Sequence, residues 1–137
     1  SDGGAYHKIE LYTKESTATE LWTNNIEQSI ATHTITLTEE RIVDISYVFS
    51  FIRNSIRGWK WRRVEVDVTG STTKNSQMST ITYYHQTIPW SNCSANRKYK
   101  LPAGTYTFTM TTMGNGIINT HTQDSEHYGW SFDVTVL

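Results

Sequence analysis

The stretch Leu101–Leu137 reads LPAGTYTFTMTTMGNGIINTHTQDSEHYGWSFDVTVL, and its pattern decides the fold class. Pro102-Ala103-Gly104 is turn chemistry, because proline presets φ and glycine is free to take positive φ. Tyr106, Phe108 and Met110 then point to one side, and Thr105, Thr107, Thr109 and Thr111 to the other, which is the period of a half-buried strand. Asn115-Gly116 is the strongest short hairpin signal in the chain and predicts that this strand folds back onto Ile117 to His121. Tyr128, Trp130, Phe132, Val134 and Val136 alternate almost to the last residue. At ~1.5–3 kcal/mol per large apolar side chain, these five supply roughly 8–15 kcal/mol of gross burial energy, comparable with a domain's net stability.

The same period recurs upstream. Val43, Ile45, Tyr47, Phe49 and Phe51 share one face; Ile42, Val48 and Ile52 join Asp44, Ser46 and Ser50 on the other. A strand that is apolar on both sides is central or faces a partner subunit. Ala31, His33, Ile35 and Leu37 alternate with Thr32, Thr34, Thr36 and Thr38. Val64, Val66 and Val68 face inward with Arg63, Glu65 and Asp67 outward, and parity places Trp59 and Trp61 outward unless a bulge intervenes. Met78 to Ile88 is a strand with Tyr83 and Tyr84 on opposite faces, ended by Pro89. Further strands are expected over Tyr6 to Tyr12 and Glu20 to Thr23, and turns at Asn24-Asn25, Glu39 to Arg41 and Asn54 to Gly58. Thr69 to Gln77 reads as a polar hairpin loop, and Trp90 to Lys98 as irregular.

About eight to ten strands and no crossover helix predict an all-β, antiparallel two-sheet β-sandwich. A jelly-roll-like arrangement is preferred, since an immunoglobulin Cys…Trp…Cys pattern is missing. At 137 residues, 6–137 is expected to form a single domain, with 1–5 (Ser1-Asp2-Gly3-Gly4-Ala5) the remnant of a linker in a longer protein. The net charge of −1 predicts no general attraction to nucleic acid. No apolar run approaches the roughly 20 residues of a membrane span, so no membrane insertion is expected. Cys93 is the single cysteine, which fits folding in a reducing cytosol without a disulfide.

The basic residues concentrate in Arg53 to Arg63, RNSIRGWKWRR, the one such concentration in a near-neutral chain. Indole faces stack on sugar rings and guanidinium forks grip carboxylate or phosphate, so Trp59, Trp61, Arg57, Lys60 and Arg62 are candidate ligand-binding residues for an anionic glycan, with Tyr83 and Trp90. The competing reading is a turn whose tryptophans fold back into the core or a subunit interface, with arginines solvated or paired to Glu65 and Asp67. His121, Asp124, Glu126 and His127 share one loop, but their spacing matches no zinc or calcium motif, and a solvated loop without metal is expected. No nucleophile elbow, phosphate-cradling loop or metalloprotease helix is present. The chain is therefore expected not to be an enzyme and to carry no cofactor.

Leu101-Pro102-Ala103-Gly104-Thr105-Tyr106-Thr107-Phe108 resembles a segment of jelly-roll heads of the C1q/TNF-like kind and of bacteriophage tail and head fibre tips, and Gly129-Trp130-Ser131-Phe132-Asp133-Val134 is similar to their closing strand. The resemblance covers about a quarter of the chain and carries over no ligand residue. It implies a homotrimeric, non-catalytic receptor-binding head of a larger fibre-like protein, made in the cytosol, exposed on a virion surface or outside the cell, and recognising a cell-surface saccharide or receptor. The alternatives are a carbohydrate-binding module of a larger hydrolase and a structural capsid or decoration domain.

Overall fold

The alternation over Val43 to Phe51 becomes the axis of the molecule. In a computed structural model, which describes residues 8–55, 57–70, 76–85, 87, 90–120 and 129–137, these residues lie in β4 (Arg41–Ser55). The other strands among the described residues are β1 (Glu10–Glu15), β2 (Glu20–Trp22), β3 (Gln28–Leu37), β5 (Lys60–Gly70), β6 (Ser76–Tyr84), β7 (Trp90–Leu101), β8 (Gly104–Gly114), β9 (Ile117–Thr120) and β10 (Trp130–Val136).

The strands pair antiparallel in a nested order: β5 with β6, β4 with β7, β3 with β8, β2 with β9 and β1 with β10. The chain is thus one long antiparallel ribbon, bent back at the β5–β6 hairpin and rolled up. Rolling adds the lateral pairs β4 with β10, β4 with β9, and β5 with β8. A six-stranded sheet results in which β7 flanks one side of β4, while β10 and then β9 flank the other, with β1 and β2 outermost. Facing it is a four-stranded sheet in the order β3-β8-β5-β6. This is a jelly roll with β2 and β9 added to one end.

Rolling overturns the hairpin expected at Asn115-Gly116. The turn joins β8 in one sheet to β9 in the other, so its flanking strands do not pair. Neither Asn115 nor Gly116 takes up the left-handed conformation that a tight Asn-Gly hairpin requires, and partner choice is made by strands far away in sequence. Trp90 to Lys98, expected to be irregular, is strand because β4 supplies a ladder from Arg41↔Leu101 to Ile52↔Trp90. The first strand begins at Glu10 rather than Tyr6, with 1–7 outside the described residues, and β4 continues through Asn54 to Ser55 before the chain bends. Ile88, Pro89 and Tyr128 also lie outside the described residues.

The core is formed by the inward sets read from the sequence. Val43, Ile45, Phe49, Phe51, Phe108 and Phe132 are fully or almost fully buried. Phe51 meets Tyr84 edge-on at 5.2 Å between ring centroids, and Phe49 meets Trp22 at 5.8 Å, geometries that place ring edges against negative ring faces. One long side is closed by Thr82, whose hydroxyl donates to the Asn92 carbonyl at 2.5 Å. On the other, Tyr12 of β1 stacks on His33 of β3 at 3.8 Å, and burial lowers the His33 pKa.

Tyr47 ties the sheets together through the core, its hydroxyl donating to the Val64 carbonyl at 2.9 Å. Burial pushes its pKa up from 10.0 to about 12. The folded state thus holds the phenol proton more tightly than the unfolded chain. This contribution is fully present below pH 10 and is lost as pH rises toward 12. Two units correspond to about 2–3 kcal/mol. Tyr47→Phe should therefore flatten the decline in denaturant-measured stability between pH 10 and 12, and an unchanged slope would rule Tyr47 out as a major contributor.

Candidate functional site

The bend before β5 turns on Gly58, whose φ of +72° falls in the left-handed region where glycine has no Cβ penalty. It delivers Trp59 to the outer face of the four-stranded sheet. Trp61 follows on the same face, directly opposite Tyr83, while Tyr84 points into the core. Trp59 and Tyr83 are each 65% exposed and Trp61 is half-buried. Trp59 also lies 5.1 Å from the His85 ring, and His85 Nδ1 accepts from the Thr87 amide at 3.4 Å.

The Asn115-Gly116 turn supports this corner. The Trp61 amide donates to Asn115 Oδ1 at 2.7 Å, and the Asn115 amide donates to the Trp61 carbonyl at 3.2 Å. Asparagine thereby extends the β5–β8 ladder one step past Gly114 and fixes where the Trp61 ring leaves the sheet. Ile81, 50% exposed, continues the apolar surface beside Tyr83, and Arg63 sits directly opposite it. Arg63 Nε is 2.6 Å from Glu65 Oε1. Glu65, outward by parity, is nonetheless 8% exposed; burial raises its pKa and the Arg63 charge opposes that rise. Arg57 is exposed in the bend, so its charge remains available to a ligand.

The candidate residues divide into four placements. Trp59, Trp61 and Tyr83 converge on one face with Arg57 beside them. Lys60 is half-buried, its stem packed near Gly116. Trp90 is 45% exposed but lies on β7 opposite Ile52, in the other sheet, and does not join the patch. Arg62 is fully buried and cannot meet a surface ligand.

Arg62 occupies the inward parity of β5, on the side of Val64. Nη2 donates to the Thr23 carbonyl at 3.2 Å and to the Gly116 carbonyl, and Nη1 to Thr112 Oγ1 at 3.4 Å. Among the described residues its hydrogen-bond partners are neutral oxygens. Burial lowers its pKa, while the nearby Tyr84 and Cys93 raise it. Two turn carbonyls that no ladder can satisfy are met by one guanidinium, which bridges β5 to the turns beside β2 and β9. Cys93 packs on the same strand, its thiol donating to the Arg62 carbonyl at 3.4 Å, and burial pushes that thiol up, away from nucleophilic reactivity.

His85, Ile81 and Asn115 belong to the patch and were missed. The first two follow from the β5–β6 register; Asn115 was read only as a turn residue. No group of three or more potential metal ligands occurs among the described residues, and His121, Asp124, Glu126 and His127 lie outside them. What the patch can do chemically is present flat, weakly negative ring faces to a planar or C–H-lined ligand, beside an exposed guanidinium.

The class defined by these elements is a jelly-roll β-sandwich with an aromatic patch on one outer face. No protein-family model matches the sequence, and no curated protein matches it. Among solved structures, a chain of infectious bursal disease virus, Gx strain, is similar at a TM-score of 0.48 and 9% identity, over 95% of this chain. This chain spans 37% of that viral chain's length. TmCBM61 in complex with beta-1,4-galactotriose is similar at a TM-score of 0.33 and 11% identity, over 99% of this chain and 92% of its own.

Proposed function

We propose that this chain is a non-catalytic saccharide-binding domain of a larger protein, and that the sugar lies across Trp59, Trp61 and Tyr83 with Arg57 at its edge. The carrying observation is the exposure of Trp59 and Tyr83 on the face that also presents Trp61. Leaving such large aromatic surfaces in water forgoes their burial energy, and contiguous exposed apolar surface marks interaction sites. A pyranose ring offers a C–H face to the indole and hydroxyls to the polar rim, and Arg57 adds a fork for a carboxylate or sulfate on an anionic glycan. The more specific form, a receptor-binding head on a virion fibre that attaches to a host-cell glycan, rests on the resemblance of Leu101 to Phe108.

Glycan-array screening followed by calorimetry on the best binder tests the reading. Trp59→Ala and Tyr83→Ala should each weaken binding by about tenfold or more, the size of an aromatic hot spot, with melting temperature nearly unchanged. Normal binding by both variants would sink the proposal. Unfolding of Trp59→Ala would show that the indole serves packing, and Tyr83→Ala would then decide alone.

A further inference from the structure

β1 is an outermost strand of the six-stranded sheet: it pairs with β10 on one side, and no described strand pairs with its other edge. The Ser16 amide donates to the Trp130 carbonyl at 2.9 Å, which places the backbone groups of Lys14, Tyr12 and Glu10 toward β10 by alternation. The amides and carbonyls of Leu11, Thr13 and Glu15 therefore face the open edge. Beside them Ile9 is 64% and Leu11 67% exposed, above a cleft of about 480 Å³ whose walls include Tyr12, His33, Ile35 and Val134. Glu10 and Lys14 are exposed and make no ion pair among the described residues.

We propose that the occupant of this edge is a second copy of the chain, with β1 pairing antiparallel to the partner's β1 about a twofold axis at Tyr12. Residues directly opposite must share a face, so both are even-numbered or both odd-numbered. Four registers then centre inside the strand, on Leu11, Tyr12, Thr13 or Lys14. Centred on Leu11, Lys8 meets the partner's Lys14; centred on Lys14, the two Lys14 side chains face each other; centred on Thr13, Lys14 meets the partner's Tyr12 and Glu10 meets no cation. Centred on Tyr12, Glu10 meets the partner's Lys14 and Lys14 the partner's Glu10, so both free charges are answered twice by symmetry. In that register Leu11 and Thr13 form the hydrogen-bonded pairs. Glu10 and Lys14 fall at non-hydrogen-bonded positions, where side chains approach closest, and the two Tyr12 rings meet on the axis. The six-stranded sheet then continues across the interface, with Leu11 beside the partner's Thr13 and Ile9 beside the partner's Glu15 on its outer face. This assembly is twofold and stands in place of the trimer expected from the resemblance. It also sets two aromatic patches on one particle, which raises avidity for a repeating glycan without a new contact.

Sedimentation velocity of the full chain over a range of concentrations tests the pairing. A dimer is expected. Lys14→Glu should weaken it about tenfold or more, because two attractive cross-strand pairs become repulsive, and the double variant Glu10→Lys/Lys14→Glu should restore it by exchanging the charges. All these side chains are exposed, so folding should persist and melting curves check it. A monomer at every concentration would mean that the charges on β1 guard the edge instead. That result, a trimer mass, a dimer indifferent to Lys14→Glu, or a double variant that fails to restore pairing would each overturn the proposal.

Discussion

Arg62→Ala is expected to destabilise the protein by about 3–5 kcal/mol, a large part of the stability of a domain this size. The substitution empties a fully buried volume and strips the Thr23 and Gly116 carbonyls of their donor. An unsatisfied buried carbonyl costs about 1–3 kcal/mol, and the cavity adds to it. Arg62→Met separates the two causes. It retains most of the packing and relieves the desolvation of a guanidinium that, among the described residues, is bound by neutral oxygens, so it should cost distinctly less. Chemical denaturation of both variants is the measurement. A loss below 1 kcal/mol in Arg62→Ala would mean that the turns hold without the bridge.

Gly114→Ala is the second large effect. Gly114 ends β8 where the Arg62 side chain crosses, and its carbonyl accepts the Asn25 amide at 2.6 Å. A Cβ there would lie 2.4 Å from the Trp61 carbonyl oxygen and 2.7 Å from Arg62 Nε. The first neighbour is backbone and cannot step aside, so β5 and β8 must separate locally. A cost of about 2–3 kcal/mol follows, or a fall of roughly 10 °C in melting temperature. Because the displaced strand carries Trp61, glycan affinity should fall together with stability, unlike in Trp59→Ala. Combined with Arg62→Ala the two losses should sum to less than their separate values, since removing the Arg62 side chain also removes one of the two clashes.

The aromatic patch shows where local reading stops. Parity put Trp59 and Trp61 outward and Tyr83 opposite in face to Tyr84, and all four lie so. The same parity put Arg62 on the side of Val64, which was the available sign of its burial. The basic run and the rarity of buried arginine argued the other way. A guanidinium enters a core only where its hydrogen bonds are met, and the oxygens that meet them come from Thr23, Thr112 and Gly116. Their convergence is set by rolling and cannot be read from Arg53 to Arg63. His85 joins Trp59 for a similar reason, since the pairing of β5 with β6 alone makes them neighbours.

For most strands, which residues form them and which face is apolar was already settled along the chain, because period-two alternation is a local consequence of pleating. Val43 to Phe51 and Trp130 to Val136 needed nothing else. Trp90 to Leu101 lacked that signal, because its inward parity includes the polar Ser91 and Arg97, and became strand because β4 offered a complete ladder. Which sheet each strand enters, that Asn115-Gly116 passes between sheets, and that an arginine holds the turns were decided by tertiary pairing. Hydrogen-bond partners more than a hundred residues apart, such as Thr13 and Asp133, have no imprint on local sequence. Burial and ladder satisfaction choose among topologies that the strand pattern leaves equal.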